Sequence, residues 1–326
     1  MNKRPEVSVV IITYNHEKYI AQALDSVLMQ KTAFKYEIII GEDESDDKTR
    51  KIVLNYKNKY PDKITVLLNS RKDVIFIDGK PSGRHNFIKS LRKAEGKYIS
   101  LLEGDDYWID KNKLQKQYDF LENNSDYAIC SHTAEFVDES GKSLKRYWKP
   151  PLEKEYYTKE DLFLYCNFIA TASVMFVNNL FEDFPEWFKN FKVGDWPLHI
   201  LNASYGKIKF MDEVMSAYRI HPGGIASMTD MIKQFQSRLV MYELFKKNSE
   251  KKYYPFINKA MSLIYYNIAC EYEDVDNKKM AIKYVFKDIF KFYDEKKVFL
   301  LKIKLLLRVN FPTIYKMLKK KLKRQI

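Results

Sequence analysis

Cysteine is nearly missing from this chain: three residues in 326, Cys130, Cys166 and Cys270, stand far apart with neither paired nor metal-ligand spacing. That spacing excludes a disulfide framework and a thiolate metal centre, and it points to core thiols in a reducing compartment. No apolar stretch near the amino terminus is long enough for a signal peptide, because a strand begins within the first ten residues. Phe299 to Val309 is apolar but interrupted by Lys302, Lys304 and Arg308. It therefore falls short of the roughly 20 uninterrupted apolar residues of a membrane span. Internal repeats and low-complexity tracts are also lacking. Cytoplasm is the resulting expectation.

Acidic residues are missing altogether from Lys296 to Ile326, which holds eleven lysines and arginines of a chain whose net charge is +13. The remainder is nearly neutral. A nucleic-acid binder spreads basic residues and aromatics over a folded face, so this concentration argues against a nucleic-acid partner. Within the tail, Phe311, Ile314, Tyr315, Leu318 and Leu322 share one helical face opposite Lys316, Lys319, Lys320, Lys323 and Arg324. Such a helix fits the interface of an anionic membrane, with the alternative that it packs on its own protein and leaves a solvated basic face.

The densest chemistry lies at Ile99-Ser100-Leu101-Leu102-Glu103-Gly104-Asp105-Asp106-Tyr107-Trp108, an apolar run that drives into three carboxylates around one glycine. A run of that length between Gly96 and Gly104 reads as a buried strand, which puts the acids at its carboxyl end, where open parallel sheets bind ligands. Carboxylates this close repel unless a positive group sits between them, and a hard divalent cation carrying diphosphate oxygens meets that need. The alternative is an acidic turn that ends the strand and caps a helix over Asn112 to Asn123.

The rest of the first half supplies the setting. Val7 to Thr13 is a β-branched run suited to a strand covered on both faces, and Asn15 is placed to cap a helix from His16 to Gln30. Strands over Tyr36 to Gly41 and Ile64 to Leu68 flank a helix ending near Tyr60. This alternation predicts a doubly wound α/β unit with its site at the carboxyl ends of the strands. Asn69 to Gly83 reads as a long loop and Arg84-His85-Asn86 as the opening of a helix to Ala94. A strand is expected over Tyr127 to Val137, another over Thr171 to Val177, and two short helices around Gly194-Asp195-Trp196-Pro197. Lys207 to His221 alternates into a loop with Gly223 and Gly224, and beyond Met228 the pattern is wholly helical. Two domains follow, residues 1–226 and 227–326.

Val7 to Asn15, Glu42-Asp43, Arg84-His85-Asn86, Glu103-Gly104-Asp105-Asp106 and Gly194-Asp195 come in the order of inverting family 2 glycosyltransferases of the GT-A fold, which the chain resembles over residues 5 to 225. The opening Ser-Val-Val-Ile-Ile-Thr-Tyr-Asn-His-Glu-Lys-Tyr-Ile looks especially like bacterial members that build surface polysaccharides. The resemblance implies an α/β fold with a mostly parallel, mixed, doubly wound sheet, followed by an all-helical region. It implies that Thr13 and Tyr14 border the nucleobase, that Asp43 accepts from a base imide, as suits uracil, and that Arg84 lies near the diphosphate or base. Asn15, Glu17, Glu103 and Asp105 join them as donor-binding residues.

Glu103-Gly104-Asp105 stands where the family carries its Asp-x-Asp motif, with Glu in the first position here, so Mn2+ or Mg2+ is implied on Asp105 and Asp106, with His221 as a further ligand. Asp195 matches the family's general base, which takes the proton of the acceptor hydroxyl; the same residue also suits a helix start. The implied partners are a UDP-sugar or other nucleotide-sugar donor, a glycan or lipid-linked glycan acceptor, and the cytoplasmic face of a membrane. A sugar nucleotidyltransferase is a competing reading, but Thr13-Tyr14-Asn15-His16-Glu17 lacks the glycine-rich phosphate loop of that class. A non-catalytic binding module is the other, although the acids of the site are all present.

Overall fold

The computed structural model describes residues 4–77, 79–224, 230–287 and 296–311, and the chain divides into two units, residues 1–227 and 228–326. The first unit is built on β1 (Val7–Thr13), whose Val7, Val9, Val10 and Ile11 are completely buried. Such a strand must be covered on both faces and paired on both edges. It pairs in parallel with β2 (Tyr36–Glu42) on one side, and β2 pairs in parallel with β3 (Ile64–Leu68).

Helix α1 (Ile20–Leu28) turns Ile20, Ala23, Leu24 and Val27 inward, and α2 (Thr49–Lys59) follows β2. The helix expected from His16 starts four residues later. Asn15 does not cap it: this residue takes a left-handed φ of 55° and its backbone N–H donates to Ser45 Oγ at 3.0 Å. The expected loop at Asn69 to Gly83 contains a small hairpin, β4 (Ile75–Ile77) with β5 (Lys80–Ser82). Helix α3 (Arg84–Lys93) is tied to β2 where Asn86 Nδ2 donates to the Gly41 carbonyl at 2.8 Å.

The other edge of β1 pairs in parallel with β6 (Tyr98–Glu103). After the short β7 (Tyr107–Trp108) and α4 (Lys113–Asn123), β8 (Tyr127–Val137) and β9 (Ser143–Trp148) form an antiparallel pair. Then come α5 (Lys159–Leu164), β10 (Met175–Val177), α6 (Asp195–Asn202) and β11 (Lys207–Arg219). The strand expected from Thr171 is shorter, because Thr171–Ser173 forms a 3-10 turn, and β10 runs antiparallel to both β6 and β8. The full order is β3-β2-β1-β6-β10-β8-β11-β7, with β9 beside β8. The sheet is thus mixed: parallel from β3 to β6, antiparallel around β10, and parallel again between β8 and β11.

The second unit holds α7 (Met231–Lys247), α8 (Tyr254–Asp274), α9 (Lys278–Phe286) and α10 (Lys296–Asn310). Lys302 of α10 is buried with its Nζ 2.7 Å from Ser262 Oγ of α8, and Arg308 of α10 grips Glu273 of α8 through two guanidinium nitrogens. Val298, Leu305 and Val309 are buried as well. The first half of the basic tail is therefore part of the helical unit. Phe311 is exposed, and Ile314 to Arg324, where the amphipathic face was expected, lie outside the described residues. Among the described residues no helix is long and apolar enough to cross a membrane.

Candidate active site

Parallel register sets the site. Ile12 of β1 lies opposite Glu103 of β6 and Thr13 opposite Glu42 of β2, so three strands deliver their carboxyl ends to one edge of the sheet. The Gly104 N–H donates to the Ile12 carbonyl at 2.9 Å and the Asp43 N–H to the Thr13 carbonyl at 3.2 Å, which carries the ladder one residue further on both sides. Gly104 has to be glycine: a Cβ there would come within 2.6 Å of Thr13 Oγ1 and 2.8 Å of His16 Nδ1. The turn is thereby pressed onto β1, with an acid on either side of Gly104.

Glu103, Asp105 and Asp106 each bring a carboxylate oxygen within 4.8 Å of the others. Asp106 accepts the Arg219 backbone N–H at 2.9 Å through Oδ1, and Asp105 Oδ2 lies 3.0 Å from His221 Nε2 and 3.8 Å from His16 Nε2. The other oxygens, Asp105 Oδ1 and Asp106 Oδ2, are buried and find no hydrogen-bond donor among the described residues. Buried carboxylate oxygens ordinarily have partners. Two orphans side by side on three converging acids fit a hard cation, which takes oxygen ligands.

The electrostatics agree. Burial and then the charges of Asp105 and Asp195 push Glu103 well above the usual carboxylate range. Burial, with Asp105 and Glu103 next, does the same to Asp106. Burial presses Asp105 upward too, but the hydrogen bond from His221 and the charge of His16 outweigh it and hold the group below its ordinary value. The cluster is a sink for positive charge.

His221 reaches the cluster through Asp105. Arg219 was not foreseen. It is buried, its Nε donates to the Asp105 carbonyl at 2.9 Å, and its two terminal nitrogens donate to the Glu139 carbonyl and Gln22 Oε1, each at 2.7 Å. Its guanidinium lies over the rings of Tyr19 and Tyr107 at 4.9 and 5.2 Å. Its one legible signal was its place beside His221 at the end of an alternating strand.

Asp195 is the first residue of α6, after Gly194, and its Oδ1 accepts the Trp196 N–H at 2.8 Å. Oδ2 accepts from Asn167 Nδ2 at 2.7 Å. Burial raises its pKa, against the opposing pull of the Trp196 N–H and the Arg84 charge.

Arg84 stands elsewhere than expected. The residue is 4% exposed. It donates to the Phe191 carbonyl at 2.7 Å and lies over the Phe188 ring at 4.9 Å. A Cβ on Gly194 would collide with it. Desolvation lowers it to about 10, offset in part by Asp195. The fork expected to face a diphosphate or base is thus folded under the Gly194-Asp195 turn.

At the β1–β2 edge, Tyr14 and Asp43 are joined by Arg71, which sequence reasoning passed over. Arg71 Nη1 is 3.2 Å from Asp43 Oδ2 and its guanidinium lies 4.3 Å from the Tyr14 ring centre. Burial raises the Asp43 pKa, and Arg71 pulls it back. Thr13 Oγ1 is 3.3 Å from His16 Nδ1. Asn15 Oδ1 and a Glu17 carboxylate oxygen accept from the backbone N–H groups of Asp46 and Lys48 at 2.9 and 3.0 Å, so both residues hold the loop after β2.

A family model for glycosyl transferase family 2 matches residues 8–181. An uncharacterized protein of Mycobacterium tuberculosis is 35% identical over 236 residues, which are 71% of this chain and 64% of that protein, so the chain spans less than two thirds of that relative's length. Among solved structures, S. aureus TarS 1-349 in complex with UDP-GlcNAc aligns with a TM-score of 0.59 at 17% identity, covering 95% of this chain and 88% of that one. The mannosyltransferase PcManGT from Pyrobaculum calidifontis, in complex with GDP-Man and Mn2+, aligns with a TM-score of 0.58 at 14% identity over 96% and 89% of the two chains. The sheet and its order are of the GT-A type that the resemblance implied. With the matched segment running from β1 past β10, the chain belongs to glycosyl transferase family 2.

Proposed function

We propose that this chain transfers a sugar from a nucleotide-sugar donor, preferentially a UDP-sugar, to a hydroxyl of a glycan or lipid-linked glycan with inversion at the anomeric carbon. The observation that carries the reading is the pair of orphaned, buried oxygens, Asp105 Oδ1 and Asp106 Oδ2, beside Glu103. Glu103, Asp105 and Asp106 would hold Mn2+ or Mg2+, which when bound offsets the charge of the donor diphosphate as the sugar departs. The mannosyltransferase in complex with GDP-Man and Mn2+ supports this reading of the acids.

The chain's own residues divide the remaining work. Arg219 and His221 hold Asp106 and Asp105 in place beside Glu103. Tyr14 and Asp43 border the base, with Arg71 between them supplying a guanidinium suited to phosphate oxygens. Asp195 takes the proton from the acceptor hydroxyl as that oxygen attacks opposite the leaving diphosphate. Burial makes its carboxylate a stronger base than one in water, and the bonds from Asn167 and Trp196 orient it. The basic residues from Lys316 to Arg324 attach the protein to an anionic membrane surface on its cytoplasmic side, within reach of a lipid-linked acceptor.

Nucleotide release from UDP-, GDP- and dTDP-sugars, followed with and without Mn2+, tests the reading. UDP release that requires the ion and is cut by Asp195→Asn supports it. The absence of turnover with every donor would reduce the site to a binding module.

A further inference from the structure

Strand pairing brings together three aromatic residues that lie far apart in the chain and have no part in the site described above. Phe136 of β8 is in register with Tyr218 of β11 on one side and with Arg146 of β9 on the other, which makes Trp148 its diagonal neighbour. The Phe136 and Trp148 rings stack 5.8 Å apart at 9°, and the Tyr218 ring meets them edge-on at 5.4 and 5.1 Å. All three are partly buried, with some surface left to solvent. The result is an aromatic wall, with the Arg146 guanidinium 5.0 Å from the Phe136 ring centre.

Two observations put this wall beside the reacting groups. Trp148 Nε1 donates to the Asn167 carbonyl at 3.2 Å, and the side chain of that same Asn167 donates to Asp195 at 2.7 Å, so one residue bridges indole and carboxylate. Tyr218 directly precedes Arg219, which holds Asp106. Burial, followed by the charges of Glu103, Asp106, Asp105 and Asp195, raises the Tyr218 hydroxyl, so its oxygen lies within the field of all four acids. The wall thus borders both the acidic cluster and Asp195.

A sugar ring has one face rich in C–H groups and a rim of hydroxyls. The first suits an aromatic surface, and the second needs hydrogen-bond partners at its edge, here Asp195 and the Tyr218 hydroxyl. We propose that Phe136, Trp148 and Tyr218 are the acceptor subsite, seating the pyranose ring whose hydroxyl is presented to Asp195. This rests on the glycosyl-transfer reading. It adds the class of acceptor end group, a pyranose rather than an open-chain polyol, and the residues that bind it.

Saturation-transfer NMR with methyl β-glycosides of glucose, galactose and N-acetylglucosamine, in the presence of UDP and Mn2+, tests the wall without requiring turnover. The parent protein should bind at least one glycoside with contacts on one ring face. Trp148→Ala should weaken that binding about 10-fold or more, and Trp148→Phe should recover part of the loss. The thermal shift given by UDP with Mn2+ should stay at the parent value in both variants.

Glycosides that bind Trp148→Ala as well as the parent, or a parent that binds none of them, overturn the proposal. If Trp148→Ala also loses its UDP shift, Tyr218→Ala decides, and unchanged glycoside binding there overturns it. Glycoside binding by a protein that releases no nucleotide from any donor would sink the transfer reading while leaving the wall in place, so the two failures are separable.

Discussion

The backbone N–H of Arg219 donates to the Asp106 carboxylate at 2.9 Å, across 113 residues of sequence, and the Arg219 side chain reaches the Asp105 carbonyl at the same distance. One residue of β11 thereby fixes both acids of the turn that follows β6.

Arg219→Lys keeps the charge but loses the planar fork that serves Asp105, Glu139 and Gln22. Each buried acceptor left without its donor costs about 1 kcal/mol or more. The variant should melt several degrees lower and bind UDP with Mn2+ about 10-fold more weakly, as titration calorimetry can measure. Unchanged affinity would mean that the turn holds its shape without Arg219.

Asp195→Asn preserves the size of the side chain while removing the proposed base. Turnover should fall on the order of 10²-fold with UDP affinity unchanged. In the parent, burial raises the Asp195 pKa above the ordinary 3.8. The base works only when deprotonated, so kcat should fall as pH drops through that raised value, and the fall should start at a higher pH than a solvent-exposed aspartate would give. A residual rate in Asp195→Asn that keeps the same acid limb would assign the limb to another group.

Acid stability has a separate origin. His132 and His199 are completely buried, and burial lowers both from 6.5 to about 3. Unfolded, each takes a proton below about 6.5, whereas folded it stays neutral down to about 3. The unfolded state therefore binds more protons in that window, and stability falls as pH falls, by about 1.4 kcal/mol per pH unit for each histidine. Urea titrations of His199→Leu at pH 7, 6 and 5 should show a slope shallower by about one proton than the parent. Equal slopes would show that His199 ionises in the folded protein.

The basic tail divides at Phe311. Removing residues 296–326 strips away α10, with its buried Lys302 and its Arg308–Glu273 pair, and should destabilise the helical unit. Removing only residues 312–326 takes six lysines and arginines. At about 1 kcal/mol per basic residue near an anionic surface, the shorter deletion should abolish sedimentation with phosphatidylglycerol vesicles while leaving the UDP shift intact. Retained sedimentation would place the membrane contact elsewhere.

Much of this architecture was legible in the chain because each parallel strand is a β-branched or apolar run. Val7–Thr13, Ile64–Leu68 and Tyr127–Val137 have the bounds that their pattern predicts, and the acids fall at the strand ends as the parallel arrangement requires. What escaped was set by tertiary contact. Asn15 looks like a helix cap, but its backbone is bent to meet Ser45, which delays α1 to Ile20. Arg84, which the resemblance put near the diphosphate or base, is enclosed by Gly194, Phe191 and Phe188. Arg71 sits in what reads as a loop, and only the fold brings it to Tyr14 and Asp43. Phe136, Trp148 and Tyr218 share no local pattern, since pairing between non-consecutive strands assembles them.

The central claim is that Glu103, Asp105 and Asp106 hold a divalent cation that binds the donor diphosphate. Thermal melts with UDP alone, Mn2+ alone and both together, for the parent and for Asp106→Ala, test it most directly, because a ligand of the native state raises the melting point. The account predicts a shift with UDP and Mn2+ together that far exceeds either alone and is lost in Asp106→Ala. An equal UDP shift without the ion, or a full shift in Asp106→Ala, would contradict it.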